Sequence, residues 1–255
     1  MTYARFEKDG VWYGVVEAGA VRRLATAPWD VPPGDAPPAG PAIPLDEVRL
    51  LPPCAPSKIF ALGFNYRDHL AGRQEPREPQ VFLKVASSVI GPDDPIVLPS
   101  DASAGRIDEE AELVVVMGRR CRAVRRERAM GFLFGYTCGN DVSARAWQKA
   151  DLNWWRAKSS DTFSPIGPFI VTGIDPLEAG IGARINGRQV QRCSPRDLLF
   201  DIPTLIEWIS ASVTLEPGDL IFTGTSGAPA ELHAGDVVEV EIEGIGVLRN
   251  PVRQG

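Results

Sequence analysis

The sequence is poor in the side chains that build zinc sites and disulfide frameworks. It contains two histidines and four cysteines, and no two cysteines stand in a CxxC spacing. Because a structural zinc site draws on histidine and cysteine ligands, this supply leaves little room for one. We interpret the scattered cysteines as free thiols of a protein in a reducing compartment.

Long hydrophobic runs and an excess of positive charge are also missing. No apolar stretch approaches the roughly 20 residues of a membrane span, and the N-terminal residues lack the basic and then apolar order of a signal peptide. The formal net charge of −6 disfavours binding to nucleic acid or to an anionic membrane. We therefore expect a cytoplasmic protein with neither of those partners.

What the chain has in quantity is turn residues and short runs of strand-forming residues. Its 23 prolines and 25 glycines favour a β-rich fold over a helix bundle. Hairpin turns are indicated at Lys8–Gly10 and at Asn186–Gly187. The clearest helix is predicted to begin at Asp201, with Pro203 in its first turn. We predict a mainly β (α+β) fold of mixed strands with few helices.

Prolines are concentrated near the N-terminus. Seven of them fall between residues 27 and 44, a density that predicts an irregular connection after a short β-meander. We therefore predict a small N-terminal β domain over residues 1–52, which includes this connection, and a larger domain over residues 53–255.

Three acidic residues stand at the ends of predicted strands. Glu110 and Glu112 open an apolar strand that runs to Gly118, and their spacing places both carboxylates on one face, about 6.5 Å apart. Asp141 comes directly after another predicted strand. Carboxylates this close need a proton or a cation between them, and oxygen ligands without histidine or cysteine select Mg²⁺ first, then Mn²⁺ or Ca²⁺. Two acids on an exposed edge strand and an Asn-Asp turn are the alternative interpretation.

The segment from Asp141 to Ala150 is predicted to form a helix or a turn. On a helix, Arg145 and Gln148 would share a face with Asp141. Arg145 could then hold a substrate carboxylate with both arms of its guanidinium, and Gln148 could bind a carbonyl or position a water. A simple Asp–Arg surface pair remains the alternative.

Four further side chains could take part in chemistry. His69 comes after an apolar strand and is a candidate general base. Lys158, in a predicted loop, could stabilise an oxyanion or enolate, and Lys84 is a weaker candidate of the same kind. Thr225, in a glycine turn, could offer a hydroxyl and backbone N–H groups to a carboxylate. A structural histidine, solvated lysines and an ordinary turn are the alternatives.

Taken together and in order, these stretches resemble the fumarylacetoacetate hydrolase family. The resemblance covers roughly residues 56 to 252. The matching stretches are Gly63–His69, Phe82–Lys84, Glu110–Leu113, Gly139–Arg145, Lys158–Asp161, Pro165–Pro168, Ile185–Gly187 and Phe222–Thr225.

The resemblance implies a mixed β-roll or sandwich, usually a homodimer, with a small variable N-terminal domain. It implies small anionic 2-oxo or 1,3-dicarbonyl acids of aromatic or sugar catabolism as substrates. By resemblance, the metal ligands are Glu110, Glu112 and Asp141, the residues that hold and polarise the substrate are Arg145, Gln148 and Lys158, and the general base is His69.

Two positions depart from the family pattern. The residue after Arg145 is Ala146, where an acid is common. Some hydrolases carry a glutamate three residues after the histidine, which orients it, and Gly72 stands there in this chain. Glu75 or Glu78 in the next loop are candidates to replace it. Without an orienting acid an imidazole is a weaker base, which disfavours hydrolysis.

These residues are compatible with three functions. The first is a metal-dependent hydrolase that cleaves a C–C bond in acylpyruvate-like acids. The second is an isomerase or decarboxylase of acids like 2-hydroxyhepta-2,4-diene-1,7-dioate or oxaloacetate. The third is a catalytically silent protein that binds a metal and an oxo acid.

Overall fold

Strands dominate the computed structural model, which describes residues 1–31 and 38–255, and the predicted mainly β fold is confirmed. The strands, numbered in chain order, are β1 (Thr2–Glu7), β2 (Val11–Glu17), β3 (Ala20–Arg23), β4 (Ala39–Pro44), β5 (Arg49–Leu50), β6 (Ile59–Gly63), β7 (Gln80–Lys84), β8 (Val89–Ile90), β9 (Ile96–Leu98), β10 (Ile107–Asp108), β11 (Ala111–Met117), β12 (Leu133–Asn140), β13 (Ser143–Ala144), β14 (Ser164–Val171), β15 (Ile181–Ile185), β16 (Arg188–Cys193), β17 (Leu220–Phe222), β18 (Val237–Ile242) and β19 (Gly246–Gln254). The α-helices in the described residues are α1 (Arg126–Ala129), α2 (Arg145–Ala150), α3 (Trp155–Ser159) and α4 (Ile202–Ser212).

A 12-stranded mixed sheet organises the molecule. Its order is β4-β3-β2-β1-β14-β12-β11-β17-β6-β7, with β5 beside β1 and β8 beside β14. The pair β17–β6 is parallel, whereas β11–β12 is antiparallel. Because β1 pairs with β14, the N-terminal meander continues the same sheet that carries the central strands.

The core lies on both faces of β11. Leu113 and Val115 pack in one cluster with Leu205 of α4 and with the five-stranded sheet β16-β15-β18-β19-β9. Val114 and Val116 pack in a second cluster on the opposite face. A strand buried on both faces reads as a continuous apolar run, and the residues after Glu112 form such a run.

The proline-rich segment is more regular than predicted. Residues 39–44 form β4, which pairs with β3 at the edge of the large sheet. An edge strand tolerates proline because one of its sides needs no N–H for the ladder. Residues 32–37 of the predicted connection lie outside the described residues.

The helix predicted at Asp201 is confirmed as α4. The Asp201 carboxylate caps it by accepting a hydrogen bond from the Thr204 N–H at 3.0 Å, and Pro203 lies in the first turn. Within the described ranges, no helix is long and apolar enough to cross a membrane.

Candidate active site

Strand pairing brings the three predicted acids together. Glu110 immediately precedes β11, Glu112 is the second residue of β11, and Asp141 comes immediately after β12, its neighbour in the sheet. One carboxylate oxygen from each lies within 4.8 Å of the others, and all three side chains are buried. The set is all oxygen and its members lie close enough together to share one hard divalent cation.

The charges of this cluster are unequal. Burial and the neighbouring carboxylates of Asp141 and Glu110 raise the pKa of Glu112 well above its ordinary value of 4.5. Burial also acts to raise the pKa of Glu110, but Lys158 and Arg145 lower it to about 2. The cluster therefore favours the protonated form of Glu112 until a cation takes the place of its proton.

Two buried lysines hold the cluster. Lys158 donates from Nζ to Glu110 Oε2 at 2.6 Å and to Asp141 Oδ2 at 2.7 Å. Burial opposes its charge, but Asp141 and Glu110 raise its pKa above 10.5. Lys158 was predicted to lie in a loop and instead lies in α3, because a five-residue helix is too short to show a helical period in the sequence.

The ammonium of Lys84 contacts protein groups and does not line the cleft. Its Nζ donates to Asp141 Oδ1 at 2.5 Å, to the carbonyl of Phe163 at 3.1 Å and to the carbonyl of Lys158. An ammonium has three donors, and these contacts use them all. We therefore interpret Lys84, predicted as a substrate contact, as a residue that positions Asp141 and the end of α3.

Arg145 is clamped between acids at the start of α2. Its Nε donates to Asp108 Oδ2 at 2.7 Å, Nη2 to Glu110 Oε1 at 2.7 Å and Nη1 to Gln148 Oε1 at 2.9 Å. Two of the five guanidinium donors remain for a ligand. The helix begins only at Arg145, so the predicted helical face shared with Asp141 was wrong.

Sequence reasoning did not single out Asp108. Its signal was present, because Asp108 precedes Glu110 by two residues and that period places alternate residues on one face of an extended segment. In the structure Asp108 is buried and accepts from both Arg145 and Arg106.

A backbone carbonyl orients His69. Its Nδ1 lies 2.7 Å from the carbonyl oxygen of Gly227, and because a carbonyl can only accept, Nδ1 is the donor. In the neutral ring Nε2 is then the nitrogen with the lone pair. The candidate Glu75 instead forms an exposed ion pair with Arg67 at 2.6 Å. The group that takes the place of the missing acid at Gly72 is therefore main-chain, which no sequence pattern displays.

Thr225 and the glycine turn close the opposite side of the site. The Thr225 hydroxyl donates to the Ala111 carbonyl at 3.1 Å and accepts from Gln191 Nε2 at 2.6 Å, so its proton is already used inside the protein. The N–H of Gly224 donates to Glu112 Oε2 at 2.7 Å. Gly224 has φ +99°, and a Cβ there would lie 2.9 Å from that of Asn65, so the turn requires glycine.

Gln191 and a group of three packed aromatic rings were not predicted from the sequence. Gln191 lies on β16 and joins the start of β11 to the glycine turn. The ring of Trp154 contacts those of Phe64 and Phe82, with centroids 6.2 and 5.2 Å apart. A Cβ on Gly63 would lie 3.2 Å from the Trp154 ring, so a glycine there allows this close packing.

Two cavities that share Phe64, His69, Gln148 and Trp154 form the cleft at this site. The inner cavity, which Glu110, Lys158 and Thr225 also border, has a volume of about 20 Å³, enough for one water or ion by the ~10–15 Å³ that a water needs. The outer cavity has a volume of about 1000 Å³ and is also bordered by Arg145. Glu110 of the acidic cluster therefore borders the cleft directly.

Glu109, next to the cluster in the sequence, makes the stability of the fold depend on pH. It is fully buried, its Oε2 has no hydrogen-bond partner among the described residues, and burial raises its pKa from 4.5 to about 7. The folded protein therefore holds this proton more tightly than the unfolded chain. The protonated Glu109 therefore adds roughly 3 kcal/mol to the free energy of unfolding, relative to high pH. This contribution is full below about pH 4.5 and is lost as the pH rises through 7.

We expect Glu109→Gln to remove part of this pH dependence, because an amide does not ionise. The measurement is the urea midpoint of chelator-treated protein at about pH 5 and about pH 8. Wild type should lose more stability than the variant over that interval, and equal slopes would contradict the assignment. Glu127→Gln, at an exposed position on α1, is the control.

Comparisons with known proteins agree with this architecture. A family model for the C-terminal domain of fumarylacetoacetate (FAA) hydrolase matches residues 58–253, and one described as Rv2993c-like, N-terminal, matches residues 1–53. The chain is 42% identical to an oxaloacetate tautomerase of Xenopus laevis over 80% of this chain and 68% of that protein.

Two solved structures share the fold over the full length of both chains. The 5-carboxymethyl-2-hydroxymuconate delta-isomerase of Mycobacterium smegmatis superimposes with a TM-score of 0.92 at 42% identity. The maleylpyruvate hydrolase of Sphingobium, whose structure contains manganese(II) and pyruvate, superimposes with a TM-score of 0.82 at 32% identity. On the family model and these similarities, the chain belongs to the fumarylacetoacetate hydrolase family.

Proposed function

We propose that this protein is a divalent-metal-dependent enzyme that moves a proton in a small 2-oxo acid, as an isomerase or tautomerase. The observation that carries the proposal is the His69 ring, which the Gly227 carbonyl holds at 2.7 Å and which lines the same cavity as Glu110 and Lys158. Mg²⁺ or Mn²⁺ would suit the oxygen donors of that cluster.

Each side chain has a part in this proposal. The three buried carboxylates would hold the cation, which supplies Lewis acidity to a chelated 2-oxo group when bound. The two free donors of Arg145 bind the substrate carboxylate. Lys158, held as an ammonium, compensates the negative charge of an enolate, and His69 Nε2 takes a proton from carbon and returns it.

The orienting carbonyl favours proton transfer over hydrolysis. It fixes the tautomer of His69 but lacks the full negative charge with which a carboxylate stabilises an imidazolium. The α-proton of a 2-oxo acid that is bound as a chelate is easier to remove than a proton of water. The higher similarity to the isomerase than to the hydrolase, in identity and in TM-score, supports the same choice.

Hydrolysis of a C–C bond in an acylpyruvate is the second candidate. It is favoured by the volume of the outer cleft, about 1000 Å³, which leaves room for water beside His69. It is also favoured by the full-length similarity to the maleylpyruvate hydrolase. The two reactions use the same residues and differ in whether His69 takes its proton from carbon or from water.

Proton NMR separates these functions in one assay. Enol-rich oxaloacetate, freshly dissolved, and acetylpyruvate are each incubated with enzyme and Mg²⁺. Faster conversion of the enol to the ketone supports the proposed function, and pyruvate with free acetate supports the second candidate. Binding of both acids without turnover would contradict the two enzymatic functions and leave a silent binding protein.

The exposed face beside β7 supports a homodimer. β7 is the last strand in the order of the large sheet, so its outer backbone edge can pair with the same edge of a second copy about a two-fold axis. Leu83 on β7 is 59% exposed and Trp155 is 66% exposed, and both line one groove. We propose that a second copy covers this face.

We expect Leu83→Glu to convert the dimer to a monomer, because it buries a charge in that interface. Light scattering coupled to size-exclusion chromatography measures the mass. Val247→Glu, at another exposed apolar position, is the control and should keep the dimer mass. A monomeric wild type, or a Leu83→Glu variant of unchanged mass, would contradict the assignment of this face.

A further inference from the structure

The mouth of the cleft carries positive charge that the proposed function does not use. Arg73 and Lys149 line it, and neither forms an ion pair with any residue that the structure describes. The neighbouring Arg106 and Arg145, in contrast, both form an ion pair with Asp108. Asp68 also lines the opening, where it accepts from Ser226 Oγ, so the lining holds four cations and two carboxylates. In a chain with a net charge of −6, this local excess of two positive charges attracts anions.

Arg73 is held by an aromatic ring and not by an acid. Its guanidinium carbon lies 4.9 Å from the centroid of Phe64. A guanidinium stacked on a ring keeps its edge N–H groups free for two parallel hydrogen bonds to a carboxylate. Arg73 is therefore placed at the rim of the cleft with its donors unoccupied.

The ring that carries Arg73 is itself held in an unfavourable backbone conformation. Phe64 has φ +58° and Trp154, which contacts it, has φ +56°. Left-handed backbone costs a residue with a Cβ about 1–2 kcal/mol, and such strain is concentrated at ligand-binding positions. The surrounding structure thus fixes these two rings against their local preference.

Aromatic rings line both parts of the cleft. Phe64 and Trp154 border the inner cavity with Glu110 and the outer cavity with Arg73, and Phe82 borders the inner one. Aromatic faces suit a flat, unsaturated carbon chain and offer no hydrogen bond to a carboxylate. The inner end of the cleft therefore suits an oxo acid at the proposed metal centre. The aromatic rings suit its carbon chain, and the cationic rim suits an anionic group.

Resting on the proposed function, we propose that Arg73 is the residue by which this site selects dicarboxylic over monocarboxylic 2-oxo acids. The 2-oxo end lies at the inner site, the carbon chain lies along the three rings, and the second carboxylate binds Arg73. A 2-oxo acid with one carboxylate would leave the guanidinium without a partner. Arg73 thus determines specificity and does not touch the reacting atoms.

Calorimetry in the presence of Mg²⁺ tests the proposal with three kinds of probe. These are oxalate, which reaches only the inner site, 2-oxo dicarboxylates of increasing chain length, and 2-oxo monocarboxylates of matching length. Wild type should prefer the dicarboxylate about tenfold at the length that spans the cleft, as expected of one charge-assisted pair that stays partly solvated.

Variants assign that preference to Arg73. We expect Arg73→Ala to reduce it to within about twofold, and Arg73→Lys to keep part of it, because a lysine retains the charge without the planar fork. Arg77→Ala changes an exposed arginine of the same loop that does not line the cleft and should keep the full preference.

Two outcomes would overturn the inference alone. One is oxalate binding with no preference for dicarboxylates at any length in wild type, and the other is a preference that Arg73→Ala retains. Failure of oxalate to bind in the presence of Mg²⁺ would instead overturn the proposed function, together with this inference.

Discussion

Replacing Glu112 with alanine should weaken Mg²⁺ binding by roughly a hundredfold or more, since loss of even an outer-shell partner of a metal costs 10–100-fold. The carboxylate of Glu112 is buried with those of Glu110 and Asp141, and one oxygen of each lies within 4.8 Å of the others. Isothermal titration calorimetry of chelator-treated protein measures the effect. Unchanged affinity in the variant would remove Glu112 from the proposed metal centre.

A second variant separates loss of the ligand from loss of the fold. Without a cation, burial and its two acidic neighbours raise the pKa of Glu112 and favour its neutral form. Glu112→Gln has the same shape and the same neutral charge, and its oxygen can still accept from Gly224. The metal-free variant should therefore unfold near the wild-type temperature, whereas the stabilisation that Mg²⁺ gives wild type should be absent from it.

His69→Ala should lower turnover by about a thousandfold, within the 10²–10⁴-fold range of general acid–base catalysis. Its metal affinity should stay within about tenfold of wild type, because His69 holds none of the three carboxylates. The effect is expected on whichever of proton transfer and C–C hydrolysis the protein performs. The readout is proton NMR of oxaloacetate and acetylpyruvate turnover at saturating Mg²⁺.

The other histidine provides the matched control. His233 is exposed in a turn, and His233→Ala should leave turnover and metal affinity unchanged. Turnover that persists in His69→Ala would exclude His69 as the proton carrier. A large loss of Mg²⁺ affinity in His69→Ala would show that the residue supports the metal centre and not the proton transfer.

The sequence was sufficient for the fold class and for the strands around the site. β11 could be predicted because an apolar run buried on both faces is visible as composition, and α4 could be predicted because Asp201 and Pro203 mark its start. β4 and α3 were missed for physical reasons. An edge strand accepts prolines that usually break strands, and a helix of five residues is shorter than the pattern that identifies one.

The site was predictable to the extent that it depends on residue type. The acids Glu110, Glu112 and Asp141 could be grouped because carboxylates at the ends of neighbouring strands form a pattern that the sequence displays. The residues that hold these carboxylates in place could not be predicted. The clamp on Arg145 includes Asp108, which comes from a separate two-stranded ribbon, and the contacts of Lys84 are mostly to carbonyl oxygens, which every residue has.

The hydrogen bond from His69 to Gly227 has a consequence for how this activity could be gained or lost. The acceptor belongs to the peptide backbone, so no single exchange of a side chain deletes it, and an alanine scan of the loop would miss it. Insertions or deletions between Thr225 and Pro229, which shift the carbonyl, are the genetic changes that would release the ring. Indels in this loop, more than substitutions, are therefore where divergence in reaction type should be sought.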